Sequence, residues 1–133
     1  MEKVLKFLND NTPFYCSTVS GDRPRCRPLG LAVMVGGKIY FGLGKHKEVY
    51  AQLKSNPNLE ICATAANGTW IRISGRAVLD DNAEAKAAAF KALPMLNDIY
   101  NDKTGYELGM LCLSDMIAEF KDPSGKTVDM ATS

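Results

Sequence analysis

Apolar and polar positions follow two different periods along this chain, and the switches between them mark its elements. The opening "EKVLKFLND" sets Val4, Leu5 and Leu8 at helical spacing, which predicts a short amphipathic helix covering one end of a core, ended by Thr12 and Pro13. "FYCSTV" is rich in aromatic and β-branched residues and predicts a strand, and "SGDRP" after it carries the Gly and Asp of a hairpin turn. A long second strand is predicted from Arg25 to Val35, followed by a "VGGK" turn and a third strand, "KIYFGLG", paired with it. "KEVYAQLKSN" returns to the helical period, with Val49, Tyr50 and Leu53 on one face and Asn56-Pro57 as its stop. "LEICATA" and "TWIRISGRAVL" flank Asn67-Gly68 as a second hairpin. The alanine-rich "DDNAEAKAAAFKAL" predicts a further helix, ended or kinked by Pro94. "GMLCLSDMIAEFKDPSGKTV" then supplies one or two strands around a "DPSGK" turn.

Six or so strands, joined mostly by hairpins with helices inserted between them, predict a mainly β fold with helices (α+β) built on an antiparallel sheet that must hide its edges. A small closed or split barrel does this, and a sandwich is the alternative. Neither an internal repeat nor a linker interrupts the pattern, so residues 1–133 read as one domain.

Composition narrows the partners. Hydrophobic residues make up 46% of the chain and charged residues 23%, the balance of an ordinary globular domain that needs no covalent staples. A net charge of +1 argues against nucleic acid, which calls for a basic face. "MEKVLKFLND" lacks the uninterrupted apolar core of a signal peptide, and no stretch approaches membrane-spanning length, so the reading is cytoplasmic, with no membrane partner. Cys16, Cys26, Cys62 and Cys112 lie far apart in strand-like runs, which predicts buried reduced thiols rather than a metal site or disulfide framework.

Two stretches carry candidate chemistry. In "RPRCRPLG", Arg23, Arg25 and Arg27 alternate, so an extended strand would project them from one side, either to meet an anion or to solvate a surface. "GLGKHKEVY" places two glycines and three basic residues before a helix, where unpaired amides and the helix dipole favour an anion held by Lys45 or Lys47; a solvated turn is the alternative, since the spacing is not that of a Walker loop. Trp70, Arg72 and Ser74 alternate with the apolar Ile71 and Ile73, so Trp70 lies on the less apolar face, available for ring stacking or for an interface. His46 is the only histidine and has no carboxylate or cysteine partner at a recognisable spacing. No nucleophile elbow or paired-carboxylate motif is present, so an enzyme built on this chain would lean on a cofactor.

Taken in order, "GDRPRCRPLG", "KIYFGLGKHKEVYAQLKSNP" and "WIRISGRAVLDD" make the chain resemble the pyridoxamine 5′-phosphate oxidase-like family, the FMN-binding split β-barrels, over almost its whole length. It is most similar to the short general-stress and nitroimidazole-reductase-like members. The resemblance implies a six-stranded antiparallel split barrel and a homodimer with FMN in grooves between subunits, acting as a flavin oxidoreductase on a small-molecule substrate. It implies that Arg27-Pro28-Leu29-Gly30 runs along the flavin, with Arg27, joined by Arg25, at the phosphate and Arg23 facing solvent. It places Tyr40 and Phe41 beside the cofactor, Lys47 at the phosphate with Lys45 and His46 as neighbours, and Trp70 at the isoalloxazine edge. The family sets its phosphate lysine about eight residues before the Asn-Pro proline, and here that position is Val49 while Lys47 stands ten before Pro57. The end of the chain also lacks the arginine-rich segment of the true oxidase, which counts against a vitamin phosphate substrate. A non-catalytic flavin or haem carrier, with His46 as the axial residue, and a dimer with a vestigial pocket are the other readings.

Overall fold

Val4 and Leu8 stand four residues apart on α1 (Glu2–Asp10), and both are fully buried, so this amphipathic helix plugs one end of the main core as its spacing predicts. The computed structural model describes all residues, 1–133. After α1 come β1 (Phe14–Ser20), β2 (Arg23–Leu29), β3 (Ala32–Val35), β4 (Lys38–Gly44) and α2 (Glu48–Ser55). The hairpin β5 (Asn58–Thr64) and β6 (Trp70–Leu79) follows, then α3 (Ala83–Ala92), the single turn α4 (Leu96–Ile99), β7 (Leu108–Lys121) and β8 (Thr127–Thr132).

All ladders are antiparallel, and the sheet runs β2-β1-β5-β6-β7-β4-β3 with β8 added to β7. This corrects the expected strand count from six to eight. The predicted long strand from Arg25 to Val35 breaks at Gly30-Leu31: β2 pairs with β1, and only β3 pairs with β4. The arginine strand is therefore not the neighbour of "KIYFGLG". Pro24 and Pro28 give the reason, because a residue without an N–H is tolerated on an edge strand and not between two neighbours. The second additional strand, β8, forms when the "DPSGK" turn folds the chain back on β7, with the Asp122 carboxylate accepting from the amides of Ser124 and Lys126.

β2 and β3 are the two ends of the sheet path, yet only Gly30 and Leu31 separate them in the chain. The three steps from Leu29 to Ala32 reach at most roughly 11 Å, so the sheet must curl until its ends approach one another. No ladder joins them, and the sheet stays unclosed. Side chains alternate across it. The inner set, including Phe14, Phe41, Ile61, Ile71, Ile73 and Leu111, forms the main core with α1 and α2, and Phe14 meets Phe41 edge to face at 5.9 Å. β4 is buried on both faces, because Tyr40 joins Val33, Met110 and Cys112 in a second core beneath Ala85 and Ala89 of α3. Of the four cysteines, Cys16 and Cys112 are buried as predicted, whereas Cys26 and Cys62 are exposed. Their strands have one inward and one outward face, and both fall on the outward one.

Candidate functional site

The break at Gly30-Leu31 opens a groove between the end of β2 and the start of α2. Its apolar half, about 240 Å³, is lined by Leu29, Leu31, Leu43, Leu93, Leu96, Ile99, Tyr100 and Leu108, with Pro28, Gly30 and Gly42 among the backbone walls. Gly42 is needed there, since a Cβ would come within 2.7 Å of Leu31 Cδ2. Its polar half, about 520 Å³ and open to solvent, is lined by Arg25, Cys26, Arg27, His46, Lys47, Glu48 and Val49. Arg27, Lys47 and Val49 border both halves, so the two form one amphipathic site. The apolar part alone is smaller than the ~300–1,000 Å³ of ordinary ligand cavities, and the polar part supplies the remaining room.

α2 begins at the polar half. Lys47 is its N-cap in an extended conformation, with no side chain capping the helix, and the amides of Glu48 and Val49 meet no acceptor in the protein. Those amides and the positive end of the helix dipole face the mouth of the groove. Lys47 forms no ion pair and is exposed. Arg27 is half-buried and firmly held. Its Nη1 donates to Thr18 Oγ1 at 2.7 Å and to the Cys16 carbonyl at 3.2 Å, and its Nη2 donates to Gln52 Oε1 at 2.6 Å. Burial pushes the neighbouring Cys16 thiol up to about 11 against the opposing pull of Arg27, so Cys16 is a neutral packing group at ordinary pH.

The other predicted residues lie elsewhere. Lys45 lines neither half of the groove and is engaged by Asp81 and, at 3.0 Å, by Glu107. The hydrogen bond to Asp81 is the main cause that raises the lysine above its ordinary range, and the same contact lowers Asp81. His46 lines the polar half while its ring stacks on Tyr106, centroids 3.8 Å apart. Tyr40 is buried in the second core with its hydroxyl donating to Asp80 at 3.1 Å, and Phe41 is buried in the main core, so neither borders the groove. Trp70 starts β6, between Thr64 and Lys121, with the Arg72 guanidinium 5.1 Å over its ring. It too lies outside the groove's lining. The structure thus brings together Arg25, Arg27, Pro28, Leu29, Gly30, His46 and Lys47, and leaves Lys45, Tyr40, Phe41 and Trp70 outside that set.

Sequence reasoning missed two groups. Thr18 is the only buried polar residue, and the alternation Phe14, Cys16, Thr18 along β1 already placed a hydroxyl on the inward face. The segment Leu93–Tyr100, which walls the apolar half, gave no comparable signal because α4 is a single turn with no buried residue.

No family model and no curated protein matches the chain. Among solved structures, it is similar to a NimC/NimA family protein from Clostridium acetobutylicum, at 30% identity over 100% of this chain and 92% of that one, with a TM-score of 0.88. The chain belongs to the NimC/NimA family, and it shares its fold with a putative pyridoxamine 5′-phosphate oxidase from Listeria innocua, 17% identical over 86% of this chain and 94% of that one, TM-score 0.63. Two more distant likenesses within this fold carry different cofactors. One is a FAD-binding protein from Mesorhizobium loti, 13% identical over 88% of this chain and 91% of that one, TM-score 0.59. The other is a haem-binding protein from Mycobacterium smegmatis, 16% identical over 97% of this chain and 55% of that one, TM-score 0.66. At those identities the likeness is one of fold. No helix is long and apolar enough to cross a membrane.

Proposed function

We propose that this member of the family is an FMN-binding flavoprotein that works as a homodimer in the cytoplasm and exchanges electrons between the flavin and a small-molecule substrate. The observation that carries the reading is the amphipathic groove, in which an uncompensated guanidinium, a free ammonium and two unpaired helix amides stand at the mouth of an apolar slot. A flavin mononucleotide has the same division, with a dianionic phosphate at one end and a flat, largely apolar ring system at the other.

The residues fit the group. Arginine has five N–H donors, and Arg27 spends three on Cys16, Thr18 and Gln52, which leaves two for a phosphate. Lys47 and the first-turn amides of α2 add compact positive charge on the adjoining side. Together they suit one phosphate rather than a dinucleotide's diphosphate, because the next side chain along the helix is the acidic, exposed Glu48. Leu29, Leu31 and Leu96 exclude water from the ring's position, and the exposed backbone at Gly30 offers polar groups to its edge. The flavin, when bound, supplies the hydride or electron chemistry, and the chain supplies binding and orientation. A second copy is supported by Tyr15, Ile117 and Met130, which remain 49%, 42% and 50% exposed on the outer side of the sheet.

The test is the absorbance spectrum of purified protein, followed by titration with FMN while flavin fluorescence is recorded. The expected outcome is saturable binding near one FMN per chain and a melting temperature that rises with ligand. A Soret band would assign the haem reading instead. No binding and no thermal shift would leave a dimeric barrel with a vestigial site.

A further inference from the structure

The grip on Arg27 comes from three elements and is closed on itself. Thr18 on β1 donates through Oγ1 to Gln52 Oε1 on α2 at 2.6 Å, while Arg27 on β2 donates to both of these oxygens at 2.7 and 2.6 Å. An arginine can only donate, so the Gln52 amide must turn its oxygen toward it, and one neutral oxygen then accepts two short bonds. The Cys16 carbonyl takes the second hydrogen of Nη1. This accounts for both hydrogens of Nη1 and the inner hydrogen of Nη2. The two left over, on Nε and on the outer side of Nη2, lie on a single edge of the planar guanidinium. That edge is the fork with which arginine binds an oxyanion in bidentate fashion.

We infer that Gln52, together with Thr18, is a positioning residue that selects which edge of Arg27 faces the groove and, being an uncharged acceptor, leaves the guanidinium its full charge for an anion. The inference rests on the FMN reading only for the identity of that anion. A carboxylate at position 52 would satisfy the same geometry and cancel the charge. That is the situation of Lys45, whose ammonium is answered by Asp81 and Glu107.

The test compares FMN with riboflavin, which has the same ring and no phosphate, by fluorescence titration of wild type, Gln52→Glu and Gln52→Met at one salt concentration. Wild type is expected to prefer FMN. Gln52→Glu should keep its riboflavin affinity and lose at least about tenfold of that preference, while its ligand-free melting temperature does not fall, because the new carboxylate pairs with Arg27. Gln52→Met, which removes the acceptor without adding charge, should lose a smaller part and carries the test if the glutamate variant does not fold. A preference unchanged in both variants, or equal weakening of both flavins, overturns the positioning role. Absence of any FMN preference in wild type overturns instead the phosphate assignment on which the reading is built.

Discussion

Two basic residues that look alike in the sequence stand in opposite electrical situations. Arg27 is half-buried, held only by neutral oxygens, and keeps its charge uncancelled. Lys45 is also partly covered, but its partners are the carboxylates of Asp81 and Glu107, so its charge is answered within the protein, where it ties the loop before α2 to the segments before β7 and before α3. The difference teaches that the number of cations near a site says little about its capacity for an anion. What counts is whether the groups that orient them are neutral or charged, since an ionic partner fixes a side chain and neutralises it together.

The largest expected effect falls on the Arg27 side. Arg27→Ala should weaken FMN at least about tenfold, equivalent to roughly 1.4 kcal/mol, in the same fluorescence titration, with the fold retained because Thr18 still bonds to Gln52. Unchanged affinity would remove Arg27 from the site and erase the contrast. Next comes Lys47, exposed at the helix start, where an ammonium near a bound anion is worth about 1 kcal/mol. Lys47→Ala should cost FMN roughly fivefold, whereas Lys45→Met should leave FMN affinity within about twofold. The reverse result would show that Lys45 leaves its carboxylates when the cofactor arrives.

The smallest effect is on stability. The Lys45–Asp81 contact is 25% and 41% exposed at its two side chains, so solvent screening holds its contribution to at most about 1 kcal/mol. Asp81 is lowered from 3.8 by Lys45. Its share of stability is thus present above 3.8 and is lost as pH falls through the lower folded value. Denaturant melts should therefore show wild type above Lys45→Met at neutral pH, with the gap closing in acid. A gap that widens in acid would assign the lysine a role other than holding Asp81.

Much of the molecule is legible along the chain because local periodicity and burial are the same fact. Val4 and Leu8, Val49 and Leu53, and Ile71 and Ile73 are buried at the positions their spacing assigns. Helix α3 begins where the polar cap residues stand, with the Asn82 side chain accepting from Ala85 N–H. The arginine strand and the "GLGKHKEVY" turn were identified as the chemistry-bearing segments, and both border the groove. Their pairing was misread because Gly30-Leu31 looks like the middle of an apolar run, and only the curl of the sheet makes it a crossing from one end to the other. The outward cysteines, Cys26 and Cys62, were misread for a related reason: a strand's two faces are distinguished by what packs on them, and that is decided by other elements.

The sequence by itself determined helices α1, α2 and α3, most of the strand-forming runs, the antiparallel class and the two segments that carry charge, since each depends on neighbours a few residues away. The tertiary structure alone decided which charges remain free. Thr18, Arg27 and Gln52 are separated by 9, 25 and 34 residues in the chain and meet in one hydrogen-bonded ring. Lys45 and Glu107 are 62 apart and meet as an ion pair. Coulombic and hydrogen-bond energies depend on separation in space, which no spacing along the chain specifies until the sheet has closed those distances.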